Sequence, residues 1–212
     1  ADGLLARLKD AAYTVKDVKK RVTKRHPSPP FITSTLQQDA SYRLGFQSKR
    51  TMKVAQELYE GIDVQGMGAV GLITYMRTDS LRISEEAQKA ASAYVTQQYG
   101  KEYLPPSPRV YKTKKNAQDA HEAIRPSLPG LTPAQLKPSL TSDQYKLYKL
   151  IWERFIASQM ADALLDTVTA EIEADNCIFK ANGSSVKFDG FTVVYDEPVS
   201  YTHLTLPTIL RV

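Results

Sequence analysis

The decapeptide Gly71–Ser80, GLITYMRTDS, places a tyrosine and an arginine two residues apart. Side chains alternate between the two faces of a β-strand, so a strand here would put Tyr75 and Arg77 on one face. A phenolate at Tyr75 could attack the phosphorus of a phosphodiester, while the planar Arg77 guanidinium bound the non-bridging oxygens and favoured the phenolate form. Spacing alone leaves an alternative open, in which Tyr75 packs in a core and Arg77 pairs with Asp79.

A second segment, Gln118–Pro126, contains a histidine and an arginine four residues apart. A short helix is predicted over Ala117–Arg125, since Pro126 would end it. On that helix His121 and Arg125 would share a face and offer a titratable donor and a fixed cation to one phosphate. Such pairs are often plain surface features, so the interpretation depends on convergence with Tyr75.

The elements that would position these residues are mostly helical from Ile32 to Ala161. Helices are predicted at five places: from Thr33 to a stop at Gly45, with Ser34 and Gln37 as a capping box; over Lys49–Glu60, with an apolar stripe that includes Tyr59; from Ser84 to Gly100; briefly at Thr132-Pro133; and from Thr141, with Gln144 completing a capping box. The first two helices form either a helix-turn-helix pair or a core-packing pair. The run Gly68–Met76 predicts a buried strand, and Lys101–Asn116 a loop.

β-structure is predicted on both sides of the helical part. Tyr13–Lys24 fits one or two exposed strands, and after Met160 the apolar period changes from 3.6 to 2. Turn signals predict an antiparallel meander with breaks at Asp175-Asn176, Asn182-Gly183 and Asp189-Gly190, separating Cys177–Lys180, Ser184–Phe188 and Phe191–Tyr195. The fold class is therefore α+β, a helical module inserted between β segments that pair with each other.

Composition narrows the class of protein. The 212 residues are 42% hydrophobic and 24% charged, which is typical of a soluble, core-forming chain. A membrane or secreted protein is disfavoured, because no apolar run approaches about 18 residues and the start, ADGLLARLKD, lacks a signal-peptide layout. The single cysteine, Cys177, and three scattered histidines give no disulfide and no metal-ligand spacing.

Charge is unevenly distributed along the chain. Residues 1–160 carry 25 Lys and Arg against 15 Asp and Glu, whereas residues 161–212 carry 3 against 8. The basic part is suited to a polyanion, although a solvated basic face explains it equally well. Because the chain starts with Ala in mid-pattern, we expect it to be a piece of a longer protein. The tail at 198–212 is nearly uncharged and without clear periodicity, so we expect it to be non-native, a native linker being the alternative.

Three motifs together resemble one family. TSTLQQDAS (Thr33–Ser41), GLITYMRTDS (Gly71–Ser80) and AQDAHEAIRP (Ala117–Pro126), in this order, are similar to motifs of the type IA DNA topoisomerases, in particular the bacterial topoisomerase I branch. The similarity runs from about Tyr13 to Glu197. Leu81 and Ser127 depart locally from the family pattern, in which a hydroxyl residue such as Thr is expected at the first position and Thr is more usual at the second.

The resemblance implies a role for each candidate residue. Tyr75 would be the nucleophile that links to the 5′ phosphate of a cut single strand, Arg77 would stabilise the scissile phosphate, and His121 would be the nearby catalytic histidine. Arg77, His121 and Arg125 would contact DNA. The family fold is a torus, which suggests four parts: residues 1–31 and 162–197 in the β arch, 32–161 as the helical tyrosine-bearing domain, and 198–212 as the tail.

The resemblance also implies what lies outside the chain. The family uses an acidic domain for Mg²⁺ and for general acid–base chemistry, and the sequence contains no Asp-x-Asp that could replace it. We therefore expect Mg²⁺ to bind elsewhere in the full-length enzyme, no nucleotide cofactor, and no activity of this piece alone. The expected partners are single-stranded and negatively supercoiled DNA, acted on by a monomer in the cytoplasm at the nucleoid.

Two functions from other classes compete with this interpretation. In a noncatalytic module the helix pair and basic surface would bind single-stranded nucleic acid, with Tyr75 stacking on a base. A tyrosine recombinase or nuclease would use the same phenol chemistry, but that class usually assembles several basic residues around its tyrosine.

Overall fold

A computed structural model describes residues 2–111 and 121–196. Its helices are α1 Asp2–Lys9, α2 Thr33–Leu44, α3 Ser48–Glu60, α4 Glu85–Gln98, α5 Pro133–Leu136 and α6 Ser142–Ser158. Its strands are β1 Thr14–Arg25, β2 Ile62–Val64, β3 Gly68–Val70, β4 Ala163–Ala174 and β5 Cys177–Phe188. Short 3₁₀ turns cover Lys101–Tyr103, Lys137–Ser139 and Gly190–Val193. The predicted α+β class is confirmed, while the tail at 198–212 lies outside the described residues.

The larger sheet is antiparallel, with strand order β1-β4-β5. β4 and β5 are joined by a two-residue turn in which Asp175 and Asn176 both have positive φ, 47° and 61°, as a tight hairpin requires. β1 pairs with β4 along its length, from Thr14 opposite Glu173 to Arg25 opposite Ala163. The β segments on either side of the helical part therefore do pair with each other.

The predicted four-strand meander is wrong in two places. β5 continues through Asn182-Gly183 without a turn, since Asn182 stays in register with Thr169 and accepts a hydrogen bond of 2.8 Å from the Thr169 hydroxyl. Residues 191–195 do not form a strand; Gly190–Val193 is a 3₁₀ turn that buries Phe191. The physical reason is that the paired strand β4 supplies a partner along the whole of β5, whereas Phe191 is drawn into the helical core.

Helix α6 lies at the centre of that core, with Leu147, Ile151 and Phe155 fully buried. It begins as predicted, because Thr141 and Gln144 form a capping box: the Gln144 N–H donates to the Thr141 hydroxyl, and the Thr141 N–H donates to Gln144 Oε1. Helices α2 and α3 contribute Leu36, Ala40, Ala55 and Leu58 to this core. No helix in the described ranges has the length and apolarity needed to span a membrane.

The capping box predicted at Ser34 and Gln37 is wrong. Helix α2 starts at Thr33, as predicted, but its N-cap is Ile32, two residues before Ser34, and the Ile32 N–H donates to the Thr35 hydroxyl at 3.0 Å. The predicted stop at Gly45 is present, with φ of 66° in the left-handed region that glycine tolerates. The N-terminus of α2 is placed by contacts of Thr33 with the segment that carries Tyr75, described below.

An ionic joint connects the sheet to the helical part where β4 begins. Asp162 accepts a hydrogen bond from Arg109 and lies 2.9 Å from Nδ1 of His26, just beyond the end of β1. Burial opposes ionisation of Asp162, but hydrogen bonds from Arg109 and His26 outweigh it and lower the pKa of this carboxyl. Nearby, the Ala161 N–H donates to the Tyr103 carbonyl at 2.7 Å.

Candidate active site

The segment that carries Tyr75 is not the continuous strand predicted for Gly68–Met76. Strand β3 ends at Val70, and only an isolated bridge, Ile73 with Pro126, follows it. Its backbone bonds to several different partners, the first being the Leu58 carbonyl, which accepts from the Leu72 N–H at 2.7 Å. Side chains nevertheless alternate: Met76, Thr78 and Ser80 are buried, while Tyr75, Arg77 and Asp79 are exposed. The expectation that Tyr75 and Arg77 face the same way therefore agrees with the burial pattern.

Thr33, at the start of α2, binds one end of this segment. Its hydroxyl lies 2.8 Å from the Met76 carbonyl and accepts a hydrogen bond of 2.9 Å from the Thr78 N–H. The Thr33 N–H in turn donates to the Thr78 carbonyl at 3.0 Å. The first motif quoted above thus positions the backbone on both sides of Arg77 in the second.

Thr74 binds the segment to the third motif. Its N–H donates to the Arg125 carbonyl at 2.9 Å, and its hydroxyl donates to the Ala123 carbonyl at 2.7 Å and accepts from the Arg125 N–H at 3.0 Å. These bonds hold residues 123–125 beside Tyr75. The three motifs, distant in sequence, meet in one hydrogen-bonded unit.

The helix predicted over Ala117–Arg125 is wrong for the residues that can be described. Residues 117–120 lie outside the described part, and residues 121–125 have no helical structure. The Ile124 N–H donates to the Phe31 carbonyl and the Ala123 N–H to the Arg82 carbonyl, so neither is available for helical bonds. His121 and Arg125 are therefore not placed on one helix face.

His121 is nevertheless next to Tyr75. The two ring centroids lie 5.4 Å apart at an interplanar angle of 46°. A second ring, that of Tyr59 near the end of α3, lies 5.4 Å from Tyr75 in an edge-on arrangement of 65°. Sequence analysis missed Tyr59 as a site residue, since its position in the apolar stripe of α3 indicates a core residue; the residue is 41% exposed.

Tyr75 and Arg77 are both accessible. Tyr75 is 37% exposed, and within the described ranges no group hydrogen-bonds to its hydroxyl. Arg77 is exposed and makes no ion pair in the described part of the chain, so the alternative pairing with Asp79 is absent. Because the Tyr75 phenol is exposed and the Arg77 guanidinium has no ion-pair partner among the described residues, both are available to contact the phosphate of a bound ligand.

Arg125 differs from Arg77. Its side chain is 11% exposed and forms an ion pair with Glu122. It also donates to the Pro126 carbonyl at 2.9 Å and to the Ser84 hydroxyl at 3.4 Å. The guanidinium is therefore bound within the chain, and its predicted contact with DNA stays a prediction.

The described residues do not fit a Mg²⁺ site. Across 2–111 and 121–196, no group of three or more His, Cys, Asp or Glu side chains is placed to hold a metal ion. No step is therefore derived through a metal held by this part of the chain.

Comparisons with known proteins identify the family of this chain. A family model described as DNA topoisomerase matches residues 1–210. DNA topoisomerase 1 of Rickettsia felis is 50% identical over 202 residues, which cover 94% of this chain and 26% of the relative. Full-length topoisomerase I of Thermotoga maritima matches with a TM-score of 0.81 and 38% identity, over 93% of this chain and 32% of that one. The chain thus spans about a quarter to a third of these relatives, and it belongs to the bacterial DNA topoisomerase I family.

Proposed function

We propose that this chain is the tyrosine-bearing part of a type IA topoisomerase, which relaxes negatively supercoiled DNA by cutting and resealing one strand. The observation that carries the proposal is the exposed Tyr75 phenol, free of internal hydrogen bonds in the described part of the chain, two residues from the exposed and unpaired Arg77. The hydrogen bonds among the three motifs support it, because they join the backbone segment of Tyr75 and Arg77 to the segment that begins at His121.

The chemistry is a transesterification. The Tyr75 oxygen attacks phosphorus, a new phosphorus–oxygen bond forms to the phenol, and the bond to the 3′ oxygen of the neighbouring nucleotide breaks. The phenol gives up its proton, and the leaving 3′ oxygen takes one up. The reverse attack by the 3′ hydroxyl restores the strand and frees Tyr75. One phosphodiester is exchanged for another, so no nucleotide cofactor is needed.

Arg77 and His121 act on the phosphate. Negative charge builds on the non-bridging oxygens as phosphorus becomes pentacoordinate, and a fixed guanidinium stabilises that charge. In this proposal His121, whose ring lies 5.4 Å from that of Tyr75, donates a hydrogen bond to the same phosphate. Arg125 braces the segment that carries His121 through its bonds to Glu122 and Pro126.

The rest of the machinery is proposed to lie outside this chain. Mg²⁺ and the acid–base groups for the leaving 3′ oxygen would come from other parts of the full-length protein, acting as a cytoplasmic monomer at the nucleoid. The chain alone is then expected to bind single-stranded DNA with strong salt dependence, because its first 160 residues are basic. It is expected not to relax plasmid, and relaxation by the purified chain would contradict this.

Tyr75→Phe in the full-length protein tests the proposal. The substitution keeps the ring and its stacking but removes the attacking oxygen. We expect the covalent protein–DNA adduct and plasmid relaxation to disappear while affinity for a single-stranded oligonucleotide stays within about twofold. Tyr42→Phe, on the exposed side of α2, serves as the matched control. An adduct that persists in Tyr75→Phe would favour the noncatalytic binding module instead.

A further inference from the structure

We propose that Tyr59 is a positioning residue for the nucleophile: its ring sets the angle at which the Tyr75 phenol approaches the phosphorus. The inference rests on the proposed role of Tyr75. Tyr59 and Tyr75 are 16 positions apart in the sequence, and their ring centroids are 5.4 Å apart at 65°. Edge-on aromatic pairs at this distance attract each other and resist rotation of either ring.

The support under Tyr59 is rigid. Helix α3 ends one residue later, at Glu60, and the helix face adjoining Tyr59 is buried through Thr51, Val54, Ala55 and Leu58. Fully buried helix faces do not move independently of the core. The ring of Tyr59 therefore projects from a fixed base, whereas Tyr75 lies in a segment without regular structure.

The backbone of the Tyr75 segment lies directly against the end of α3. A Cβ atom at Gly71 would lie 2.8 Å from the Tyr59 carbonyl oxygen, so this approach is possible only for glycine. The next residue, Leu72, donates its N–H to the Leu58 carbonyl at 2.7 Å. These two contacts fix the distance between Tyr59 and the chain that leads to Tyr75 four residues on.

The contact uses the ring of Tyr59 and not its hydroxyl. No hydrogen bond to that hydroxyl occurs in the part of the chain that the structure describes, and the residue is 41% exposed. Aromatic rings in nucleic-acid proteins also serve as platforms for bases. Here the Tyr75 ring already contacts Tyr59, which favours a support for the nucleophile over a free platform.

The test separates the rate of cleavage from DNA affinity in the full-length protein. Single-turnover formation of the covalent adduct on a single-stranded oligonucleotide is measured beside the dissociation constant of that oligonucleotide. We expect Tyr59→Ala to form adduct about tenfold more slowly, the change that corresponds to about 1.4 kcal/mol, with the dissociation constant within about twofold. Tyr59→Phe keeps the ring and is expected to match the parent rate.

Tyr59→Leu covers the case in which the alanine variant fails to fold. It fills much of the same space without an aromatic ring, and we expect it to be as slow as Tyr59→Ala. Tyr42→Ala, which removes an exposed tyrosine ring from α2, is the matched control with an unchanged rate. An unchanged rate in Tyr59→Leu, a slow Tyr59→Phe, or a loss of affinity parallel to the loss of rate would each overturn the proposal.

The same assay distinguishes failure of this inference from failure of the proposed function. If the parent protein forms no adduct, or Tyr75→Phe still forms one, the role of Tyr75 is wrong and the Tyr59 proposal fails with it. If the parent forms adduct, Tyr75→Phe does not, and Tyr59→Leu is as fast as the parent, only the positioning role is wrong.

Discussion

The hydroxyl of Thr74 lies 2.7 Å from the carbonyl oxygen of Ala123 and 3.0 Å from the amide nitrogen of Arg125, bonding to both. This one side chain joins the segment of Tyr75 to that of His121. A methyl group in place of this hydroxyl would keep the shape of the side chain but could not make the two backbone hydrogen bonds.

Thr74→Val should therefore loosen the site. It keeps the shape of the side chain but leaves one backbone carbonyl and one N–H without this partner, at a cost of about 1–3 kcal/mol. We expect a lower free energy of unfolding in denaturant titrations, together with slower adduct formation as His121 moves away from Tyr75. Thr74→Ser retains the hydroxyl and is the control. Equal stability of the valine and serine variants would show that these bonds do not hold the segments together.

How far the sequence predicts this site can be judged from particular residues. Alternation correctly indicated that Tyr75 and Arg77 point outward and Met76 inward, because burial there follows a period of two. It wrongly indicated a strand, because the hydrogen-bond partners of residues 72–78 come from three distant places that no local pattern reveals. The capping-box pattern correctly predicted the start of α6, because both partners, Thr141 and Gln144, are only three residues apart in the sequence.

The failures share one physical cause, which is tertiary competition for backbone groups. At Ala123 and Ile124 the N–H groups bond to Arg82 and Phe31, so the helix expected there does not form. At Thr33 the side chain bonds to the Tyr75 segment, and the N-cap of α2 is Ile32 instead of the predicted Ser34. Tyr59 was missed because an aromatic residue in an apolar stripe looks identical whether it faces a core or a neighbouring tyrosine.

Gly71→Ala tests the close backbone approach at the end of α3. The added Cβ would lie 2.8 Å from the Tyr59 carbonyl oxygen, so the backbone of one segment must shift. We expect lower stability, by about 1–3 kcal/mol as for other overpacked sites, and slower adduct formation. Gly130→Ala, where a Cβ meets nothing within 4 Å, is the matched control. Equal behaviour of the two variants would contradict the close approach.

The ionic contacts of Asp162 make the stability of the folded chain depend on pH in the acid range. The pKa of Asp162 is lowered in the folded chain, from an unfolded value of about 3.9. The contribution of Asp162 to the free energy of unfolding is therefore present above a pH of about 4. It is lost as the pH falls through the lower pKa that this carboxyl has in the folded chain. We expect Asp162→Asn to be less stable than the parent at pH 7 and to lose less of its free energy of unfolding on acidification.

The control for this prediction is Asp166→Asn. Asp166 is about half exposed and lies 3.8 Å from Lys187, a surface pair that contributes little. Its stability between pH 7 and pH 3 should follow that of the parent. If Asp162→Asn shows the same acid dependence as the parent, the bonds from Arg109 and His26 do not stabilise the folded chain.

Alanine substitutions of Arg77 and Arg125 should differ in their effects: the first should slow adduct formation, and the second should lower stability. Arg77 is exposed and unpaired within the described residues, so Arg77→Ala should leave the free energy of unfolding unchanged. Loss of one charged contact to a reacting phosphate should slow adduct formation by about 100- to 1000-fold. Arg125 is 11% exposed and paired with Glu122, so Arg125→Ala leaves a largely buried carboxylate without its partner and should lower stability by about 3 kcal/mol.

A second substitution decides between bracing and DNA contact for Arg125. If Arg125 acts through Glu122, adding Glu122→Gln to Arg125→Ala removes the stranded charge and should restore part of the lost stability, measured by denaturant titration. Adduct formation should recover with it, since the segment of His121 would again be held in place. The double variant could instead regain stability and still bind single-stranded DNA more weakly than the parent. That result would show that Arg125 contacts the DNA directly, because restored stability cannot replace a lost phosphate contact.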